Sequence, residues 1–296
     1  MKIVLTGSNG HISGPLAQRL AQAGHSVSLI TSKSEKSDEI RKLGAEPIVG
    51  SVTDPAFLTS AFSGADLVYL MIPPIWSVTD WFGYQKEVAH AYLQAVQANG
   101  IKKVMILSSI GAHMKKGCGP VDGVAYLEDT FSGSADFTVR ALRPSYFYYN
   151  LFSMKGLIQH MGILGSAQPA EYSIILTDTN DIVDAAMEDI LNWNFTGFSF
   201  RYIGSDQRTW AEIAQVLGTS IGKPELPYVE FSDAQSESGM VQAGLPPALV
   251  QGYLTMGKAL RSGEMEADFK ANPPAKWGKI KLEDFARSFA QVYQQS

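Results

Sequence analysis

The sequence predicts an α/β protein with a doubly wound parallel sheet, followed by a smaller, mostly helical C-terminal lobe. Short aliphatic runs alternate with helical patterns through the first half of the chain, and a glycine-rich turn separates the first run from the first helix. The 296 residues are 45% hydrophobic and 18% charged, which supplies enough apolar material for a large core. No composition shift marks a linker, so we expect one main domain with a substrate-side lobe.

The alternation starts with a strand over residues 2–6 and a helix over 15–23, and continues with a strand over 27–31 and a helix over 35–43. Asp54 followed by Pro55 is typical of a helix start, because Asp caps free N–H groups and Pro suits the first helical position. The remaining elements of this half are strands over 47–49, 67–72, 104–108 and 138–142, and a long helix over 81–99.

After Pro144 the pattern becomes less regular. We expect residues 1–150, with about 177–204 returning to the sheet, to form the sheet domain, and about 151–176 with 205–296 to form the smaller lobe. The lobe is predicted to hold a helix that a capping box starts at Thr209 and Glu212, and a last helix with Phe285, Phe289 and Val292 on one apolar face. The other predicted elements are helices over 181–191, 232–242 and 247–262 and a strand over 198–203.

Composition excludes several functions. A net charge of −5 gives no general attraction for nucleic acid or for anionic membranes, and no apolar run approaches the roughly 20 residues of a membrane span. Neither is there a signal-peptide pattern, so we expect a cytoplasmic protein. The single cysteine, Cys118, is expected to be an inert thiol, and the five histidines are too far apart in sequence to suggest a metal.

The turn over residues 7–14 reads Gly-Ser-Asn-Gly-His-Ile-Ser-Gly and lies between a predicted strand and a predicted helix, the context of a dinucleotide-binding turn. Gly7 permits a sharp exit from the strand, and Gly10 lets backbone N–H groups approach a pyrophosphate at the helix N-terminus. Ser13 stands where such turns usually carry a third glycine. The turn predicts a Rossmann-type NAD(P) site, with cofactor-binding residues Gly7, Ser8, Asn9, Gly10, His11 and Ile12.

The end of the second predicted strand favours NADP (NADPH) over NAD. An Asp or Glu there would accept from the ribose hydroxyls of NAD, but this chain has Thr31, Ser32 and Lys33. Hydroxyls and a lysine, with Lys36 and Arg41 close behind, suit a 2′-phosphate better. We therefore predict that Ser32 and Lys33 contact the 2′-phosphate.

Several segments together resemble the NmrA-like branch of the atypical short-chain dehydrogenase/reductase family, nearly from end to end. They are Thr6-Gly-Ser-Asn-Gly-His-Ile, Gly64-Ala-Asp-Leu-Val-Tyr-Leu, Leu107-Ser-Ser-Ile-Gly-Ala, Glu128, Ala141-Leu-Arg-Pro-Ser-Tyr-Phe-Tyr-Tyr-Asn150, Asn180-Asp-Ile and Thr209-Trp-Ala-Glu-Ile-Ala. The family includes NADPH:quinone and triphenylmethane-dye reductases alongside redox-sensing regulators. The resemblance implies that Ile72, Pro73 and Pro74 border the cofactor's ribose, that Ser145, Tyr146, Phe147 and Asn150 lie near the nicotinamide, and that Ser108 is a cofactor contact.

Most dehydrogenases of the wider superfamily pair a tyrosine with a lysine four residues later, and the cation lowers the phenol's pKa. No tyrosine here has lysine at that spacing; Tyr126, for example, is followed by Thr130. Positioning alone is enough for an acceptor that needs little proton assistance. No catalytic residue is assigned, and His113, Tyr126 and Tyr146 are candidates for donating a proton. A planar acceptor would fit an aromatic pocket predicted from Trp76, Trp81, Tyr146 and Tyr149.

Three functions remain open from the sequence. The first is an NADPH-dependent reductase of a small aromatic or quinoid acceptor, acting by direct hydride transfer without the Tyr–Lys pair. The second is a non-catalytic NADP-binding redox sensor, and the third, a sugar-nucleotide epimerase, lacks the required catalytic groups. The expected partner is a small planar substrate, and the chain is expected to be a monomer or a homodimer.

Overall fold

The computed structural model describes residues 1–75 and 78–295. Its centre is a seven-stranded sheet in which every pairing is parallel, in the order β3-β2-β1-β4-β5-β6-β10. Five further strands form two small sheets, one of β7, β9 and β11 and one of β8 and β12. The strands are β1 (Lys2–Leu5), β2 (Ser26–Thr31), β3 (Glu46–Val49), β4 (Leu67–Leu70), β5 (Lys103–Leu107), β6 (Thr138–Pro144), β7 (Tyr146–Phe147), β8 (Leu164–Ser166), β9 (Ser173–Thr177), β10 (Phe198–Ile203), β11 (Asp206–Thr209) and β12 (Tyr228–Glu230).

Helices cover both faces of the central sheet, and others form the C-terminal region. They are α1 (Ser13–Gln22), α2 (Ser37–Lys42), α3 (Pro55–Ala61), α4 (Trp81–Ala98), α5 (Asp122–Ser132), α6 (Lys155–Met161), α7 (Thr179–Leu191), α8 (Trp210–Ser220), α9 (Asp233–Gln242), α10 (Pro247–Arg261), α11 (Ala267–Ala271) and α12 (Leu282–Gln294). The Asp54 carboxylate caps α3, and the Thr209–Glu212 capping box starts α8, as the sequence predicts.

The predicted fold class is confirmed: the sheet is parallel and doubly wound. Within β1, Val4 faces a core shared with α3, α4 and α5, whereas Ile3 and Leu5 face a core shared with α1 and α7. All three side chains are fully buried, because a strand covered by helices on both sides is apolar on both faces. This explains why the strands appear in the sequence as continuous aliphatic runs.

The second half contains more β-structure than the sequence indicates. Strand β10 returns to the central sheet beside β6, as predicted, and the two small sheets lie among the predicted helices. A third core joins the chain after β7 to α8 and α12 through Tyr148, Trp210 and Phe285. These contacts fix the segment after β6 against the C-terminal helices.

Two details of the sequence prediction are wrong. Strand β4 ends at Leu70 rather than at residue 72, because the proline-containing segment that follows leaves the sheet. Val292 is 38% exposed, whereas Phe285 and Phe289 are buried. The apolar stripe of α12 is made by Leu282, Phe285, Ala286 and Phe289, and the helix passes the edge of the core before it reaches Val292.

Within the described ranges, no helix is both long and apolar enough to cross a membrane. The same residues contain no cluster of three or more His, Cys, Asp or Glu side chains with the geometry of a metal site.

Candidate functional site

The predicted cofactor residues come together at the carboxyl edge of the central sheet. The strand order reverses direction between β2-β1 and β4-β5, which makes this edge the topological switch point where open parallel sheets bind ligands. The segments that leave the strands here are residues 7–12 after β1, 32–33 after β2, 72–74 after β4, 108 after β5 and 145–147 after β6. The structure therefore gathers residues that are far apart in sequence along one edge of the sheet.

The glycine turn has the backbone geometry that its sequence predicts. Gly7 has φ +102°, a region that favours glycine, and a Cβ there would lie 2.5 Å from Ser13 Oγ. Ser8 also has a positive φ, +54°. A Cβ on Gly10 would lie 3.0 Å from the Gly7 carbonyl oxygen, so this backbone stays open only without a side chain.

The substitution of the usual third glycine has a structural explanation. The Ser13 hydroxyl is buried and donates a 2.7 Å hydrogen bond to the Thr6 carbonyl, which ties the first residue of α1 to the end of β1. The next residue, Gly14, lies under the Asn9 side chain, whose Oδ1 would be 2.3 Å from an added Cβ. The close packing that a third glycine normally allows is thus moved one residue along α1.

The turn fits the pyrophosphate of a dinucleotide. Helix α1 begins at Ser13 after Ile12, and no side chain caps its N-terminus. Within the first turn of α1, the Gly14 N–H already donates to the Gly10 carbonyl at 3.1 Å and Pro15 has no N–H, so the positive end of the helix dipole is what suits an anion at this position. A dinucleotide would be held here by the backbone of residues 7–12 rather than by charged side chains.

The segment after β2 carries the groups predicted to contact a 2′-phosphate. The Ser8 hydroxyl donates to Thr31 Oγ1 at 2.9 Å, and Thr31 Oγ1 also accepts from the Lys33 backbone N–H at 3.2 Å. The Lys33 side chain is exposed, and no hydrogen bond or ion pair engages its ammonium within the described ranges. The other two basic residues that the sequence analysis names here both form ion pairs. Lys36 pairs with Glu39 at 2.9 Å, and Arg41 pairs with Asp38 at 2.8 Å.

Tyrosines of α4 fix the segment after β4. The Tyr92 and Tyr84 hydroxyls donate to the carbonyls of Met71 and Pro73 at 2.8 and 3.1 Å. The Thr6 hydroxyl accepts from the Met71 N–H at 2.8 Å, which joins the segment to the end of β1. Ile72, Pro73 and Pro74 thus have a defined path beside the glycine turn.

Two serines follow the carboxyl ends of β5 and β6, at the same edge of the sheet. Ser108 is buried, and its hydroxyl has no hydrogen-bond partner among the residues that the structure describes. Because a buried hydroxyl without a partner is unfavourable, this atom fits a ligand contact at the nicotinamide side. Neighbouring Ser145 donates its backbone N–H to Thr177 Oγ1 at 3.0 Å, which holds the end of β6 against β9.

A buried ion pair anchors the segment that follows β6. The Arg143 guanidinium donates two hydrogen bonds, at 2.9 and 2.6 Å, to the Glu128 carboxylate of α5, and another, at 3.1 Å, to Asp268. Burial alone would lower the pKa of Arg143, but the hydrogen bonds that it donates to the Glu128 carboxylate, and the charge of that carboxylate, outweigh this effect and raise the pKa. This residue of the Leu-Arg-Pro segment is structural, and sequence reasoning did not assign it a role.

The three candidate proton donors lie in different surroundings. Tyr146 is the first residue of β7, and burial raises its pKa, followed by the effects of Tyr253 and Tyr228. His113 Nε2 lies 3.1 Å from the Glu264 carbonyl oxygen, while its buried Nδ1 has no hydrogen-bond partner among the described residues.

The third candidate is engaged with a neighbouring helix. The Tyr126 hydroxyl lies 2.7 Å from Nε2 of His90, and the two rings stack. Tyr126 therefore contributes to the contact between α4 and α5.

The aromatic residues predicted to line one pocket have different neighbours. Trp76 lies outside the described residues. Trp81 packs against the core beneath α4, and Tyr146 contacts Trp210 edge-on with ring centroids 5.8 Å apart. Tyr149 is 48% exposed and its ring lies 4.1 Å from that of His11, so an aromatic pair connects the glycine turn to the chain after β7.

The lone cysteine lies in the loop after β5 and is buried. Burial, followed by the Asp122 and Glu264 carboxylates, raises the pKa of Cys118 to about 11. At neutral pH this thiol is protonated, and therefore a poor nucleophile.

Comparison with known proteins agrees with this geometry. Residues 7–136 match a family model described as NAD(P)H-binding. The NAD(P)H azoreductase of Xenophilus azovorans is 22% identical over 249 residues, which cover 83% of each chain.

Two solved structures cover nearly the whole chain. The NADPH-dependent quinone oxidoreductase of Escherichia coli, complexed with NADPH, has a TM-score of 0.77 at 19% identity, covering 98% of this chain and 99% of that one. The triphenylmethane reductase of Citrobacter sp., complexed with NADP(H), has a TM-score of 0.75 at 16% identity, covering 97% and 99%. At these identities the structural likeness establishes the fold.

The fold and the turn define an NAD(P)-binding protein of the Rossmann type. The match to the NAD(P)H-binding family model covers residues 7–136, and the relatives described above are similar to the chain over most of its length.

Proposed function

We propose that this protein is an NADPH-dependent reductase of a small aromatic or quinoid acceptor. The observation that carries the proposal is the contrast between the cofactor side and the acceptor side of the carboxyl edge of the sheet. The glycine turn over residues 7–12 has the geometry of a dinucleotide cradle, whereas on the acceptor side Tyr146 packs against Trp210 and no tyrosine of the chain has a lysine four residues later. The distantly related azoreductase, quinone oxidoreductase and triphenylmethane reductase are named for acceptors with conjugated ring systems.

Residues of this chain would bind and orient the two reactants. The turn over 7–12 would hold the pyrophosphate, Lys33 the 2′-phosphate, and Ser108, Ser145 and Phe147 the nicotinamide side. NADPH, when bound, supplies the reducing equivalent. A quinone also takes up a proton, which water can supply, whereas a cationic dye needs none, so neither acceptor requires a strong acid from the protein.

The free ammonium of Lys33 supports NADPH over NADH. A 2′-phosphate at the ribose would meet this cation and the hydroxyl of Ser32, and residues 31–33 at the end of β2 contribute no carboxylate of their own.

The test is the loss of reduced-nicotinamide absorbance with purified protein, comparing NADPH and NADH against quinones, azo dyes and cationic triphenylmethane dyes. We expect saturable turnover with at least one acceptor class, faster with NADPH. Protein carrying Gly10→Val is the matched control for contaminating reductases. Tight NADPH binding without turnover on any acceptor would contradict the reductase and favour a redox sensor.

A further inference from the structure

An acidic side chain occupies the adenosine end of the proposed cofactor site. The Glu39 carboxylate of α2 accepts hydrogen bonds from the Lys36 ammonium, at 2.9 Å to Oε2 and 3.2 Å to Oε1. The same Oε2 accepts from Nδ2 of Asn9 at 3.2 Å. Asn9 belongs to the glycine turn, so Glu39 joins α2 to the loop that would hold the cofactor.

Neighbouring contacts fix the position of this carboxylate. The Asn9 side chain packs over Gly14, where its Oδ1 fills the space of a missing Cβ. The adjacent Ser8 hydroxyl is bonded to Thr31 at the end of β2. In a site of this type the adenosine ribose lies between the turn and the end of the second strand. Glu39 is therefore held beside the place that the ribose and its 2′ substituent would take.

The groups that hold Glu39 are the donors that a phosphate would use. Ammonium and side-chain amide N–H groups donate to phosphate oxygens as they do to carboxylate oxygens. The hydrogen bond from Lys36, followed by that from Asn9, keeps the pKa of Glu39 below its usual range. The side chain is therefore an anion at neutral pH, and it would repel a 2′-phosphate carrying about −1.5 to −2 charges.

We propose that Glu39 determines cofactor specificity by competing, as an intramolecular anion, with the 2′-phosphate of NADPH for Lys36 and Asn9. The inference rests on the proposed use of NADPH, and it concerns a residue that sequence reasoning did not single out. Binding of NADPH requires the carboxylate to release its two donors, whereas the uncharged 2′-hydroxyl of NADH does not. Glu39 thus reduces the preference that Lys33 creates.

Glu39→Gln tests the proposal, because it keeps the shape of the side chain and removes its charge. Adenosine 2′,5′-bisphosphate and adenosine 5′-monophosphate, titrated by calorimetry, isolate the 2′-phosphate from the rest of the cofactor. We expect the bisphosphate to bind about threefold to tenfold more tightly to the variant, and the monophosphate to change by less than about twofold. NADPH and NADH, followed by nicotinamide fluorescence, should show the same pattern.

Asp38→Asn is the matched control, since it removes one negative charge from the same helix without touching the turn. Asp38 pairs with Arg41 and its side chain is 87% exposed. Unchanged bisphosphate affinity in Glu39→Gln overturns the proposal, as does an equal gain in Asp38→Asn, which would reflect net charge alone. Weaker binding of the monophosphate to Glu39→Gln also overturns it, since Glu39 would then accept from the ribose hydroxyls.

The same titration separates failure of the inference from failure of the proposed function. A wild-type chain that binds NADH but not NADPH contradicts NADPH-dependent reduction. Glu39→Gln then decides the inference by itself: new binding of the bisphosphate supports it, and continued absence of binding overturns it.

Discussion

Backbone geometry and short hydrogen bonds hold the glycine turn, whereas ring packing and a buried ion pair hold the chain after β6. At the turn, positive φ values at Gly7 and Ser8 and the Ser13–Thr6 bond set the path. After β6, the path of the chain is set by the Arg143–Glu128 pair and by the contact between Tyr146 and Trp210. The turn thus depends on local sequence, and the acceptor side on partners far along the chain.

This difference predicts which half of the site, the cofactor side or the acceptor side, discriminates between similar ligands. A backbone cradle accepts any dinucleotide, and side chains after β2 then choose between NAD and NADP. The acceptor side lacks a Tyr–Lys pair, and its Tyr146 ring packs against Trp210, which suits planar substrates of several kinds. We therefore expect cofactor binding to depend on single residues and acceptor reduction to tolerate single changes.

Gly10→Val should have the largest effect, since it fills the backbone opening of the turn. A Cβ at Gly10 already lies 3.0 Å from the Gly7 carbonyl oxygen, and the valine methyl groups would extend into the space of the pyrophosphate. We expect affinity for NADPH and NADH to fall at least about a hundredfold, which corresponds to about 2.7 kcal/mol. Calorimetry with both cofactors measures it.

Gly133→Val is the control for that change. Position 133 has an ordinary φ of −86° and nothing within 4 Å of an added Cβ, so valine fits there without strain. Circular dichroism should show both variants folded. Retained dinucleotide affinity in folded Gly10→Val would remove the assignment of the turn.

The same contrast explains how far the sequence predicts this molecule. The central sheet is predictable because each strand is an aliphatic run between turn signals, and the glycine turn because its geometry depends on adjacent residues. Helix α5, by contrast, is not among the predicted elements: it starts without a side-chain cap and follows the short 3-10 turn Gly119–Val121. Strand β7 is only two residues long and exists because β9 pairs with it.

Some features of the site depend on contacts between residues far apart in sequence, and the sequence alone does not predict them. Arg143 and Glu128 are 15 residues apart, and nothing local indicates that they form a buried bidentate pair. Glu39 is adjacent to the turn only in space, 30 residues after Asn9. Lys36 and Arg41 are basic in sequence, yet each already pairs with an acidic partner in the structure, whereas no described residue forms a hydrogen bond or ion pair with the Lys33 ammonium.

Lys33→Ala should have an intermediate effect that is confined to one cofactor. If its ammonium contacts the 2′-phosphate, NADPH binding should weaken by about tenfold, or about 1.4 kcal/mol, while NADH changes little. Lys102→Ala, at the opposite end of the sheet, is the control for loss of a positive charge. Equal weakening of both cofactors would contradict the assignment of Lys33.

The smallest effect is expected on the acceptor side, from Tyr146→Phe. Burial raises the pKa of Tyr146 above its usual value near 10, so the phenol keeps its proton and cannot act as a base between about pH 6 and 9. A cationic dye takes up no proton when it is reduced. Its kcat should therefore change by less than about twofold in the variant, and the wild-type rate should stay nearly flat over that pH range.

A quinone extends this test, because its reduction also consumes a proton. If water supplies that proton, Tyr146→Phe and His113→Gln should each leave quinone turnover within about twofold of wild type. A loss of tenfold or more with the quinone, while the dye rate is unchanged, would assign proton donation to the substituted residue. Acceptor reduction would then depend on a single side chain, and the contrast with the cofactor side would no longer hold.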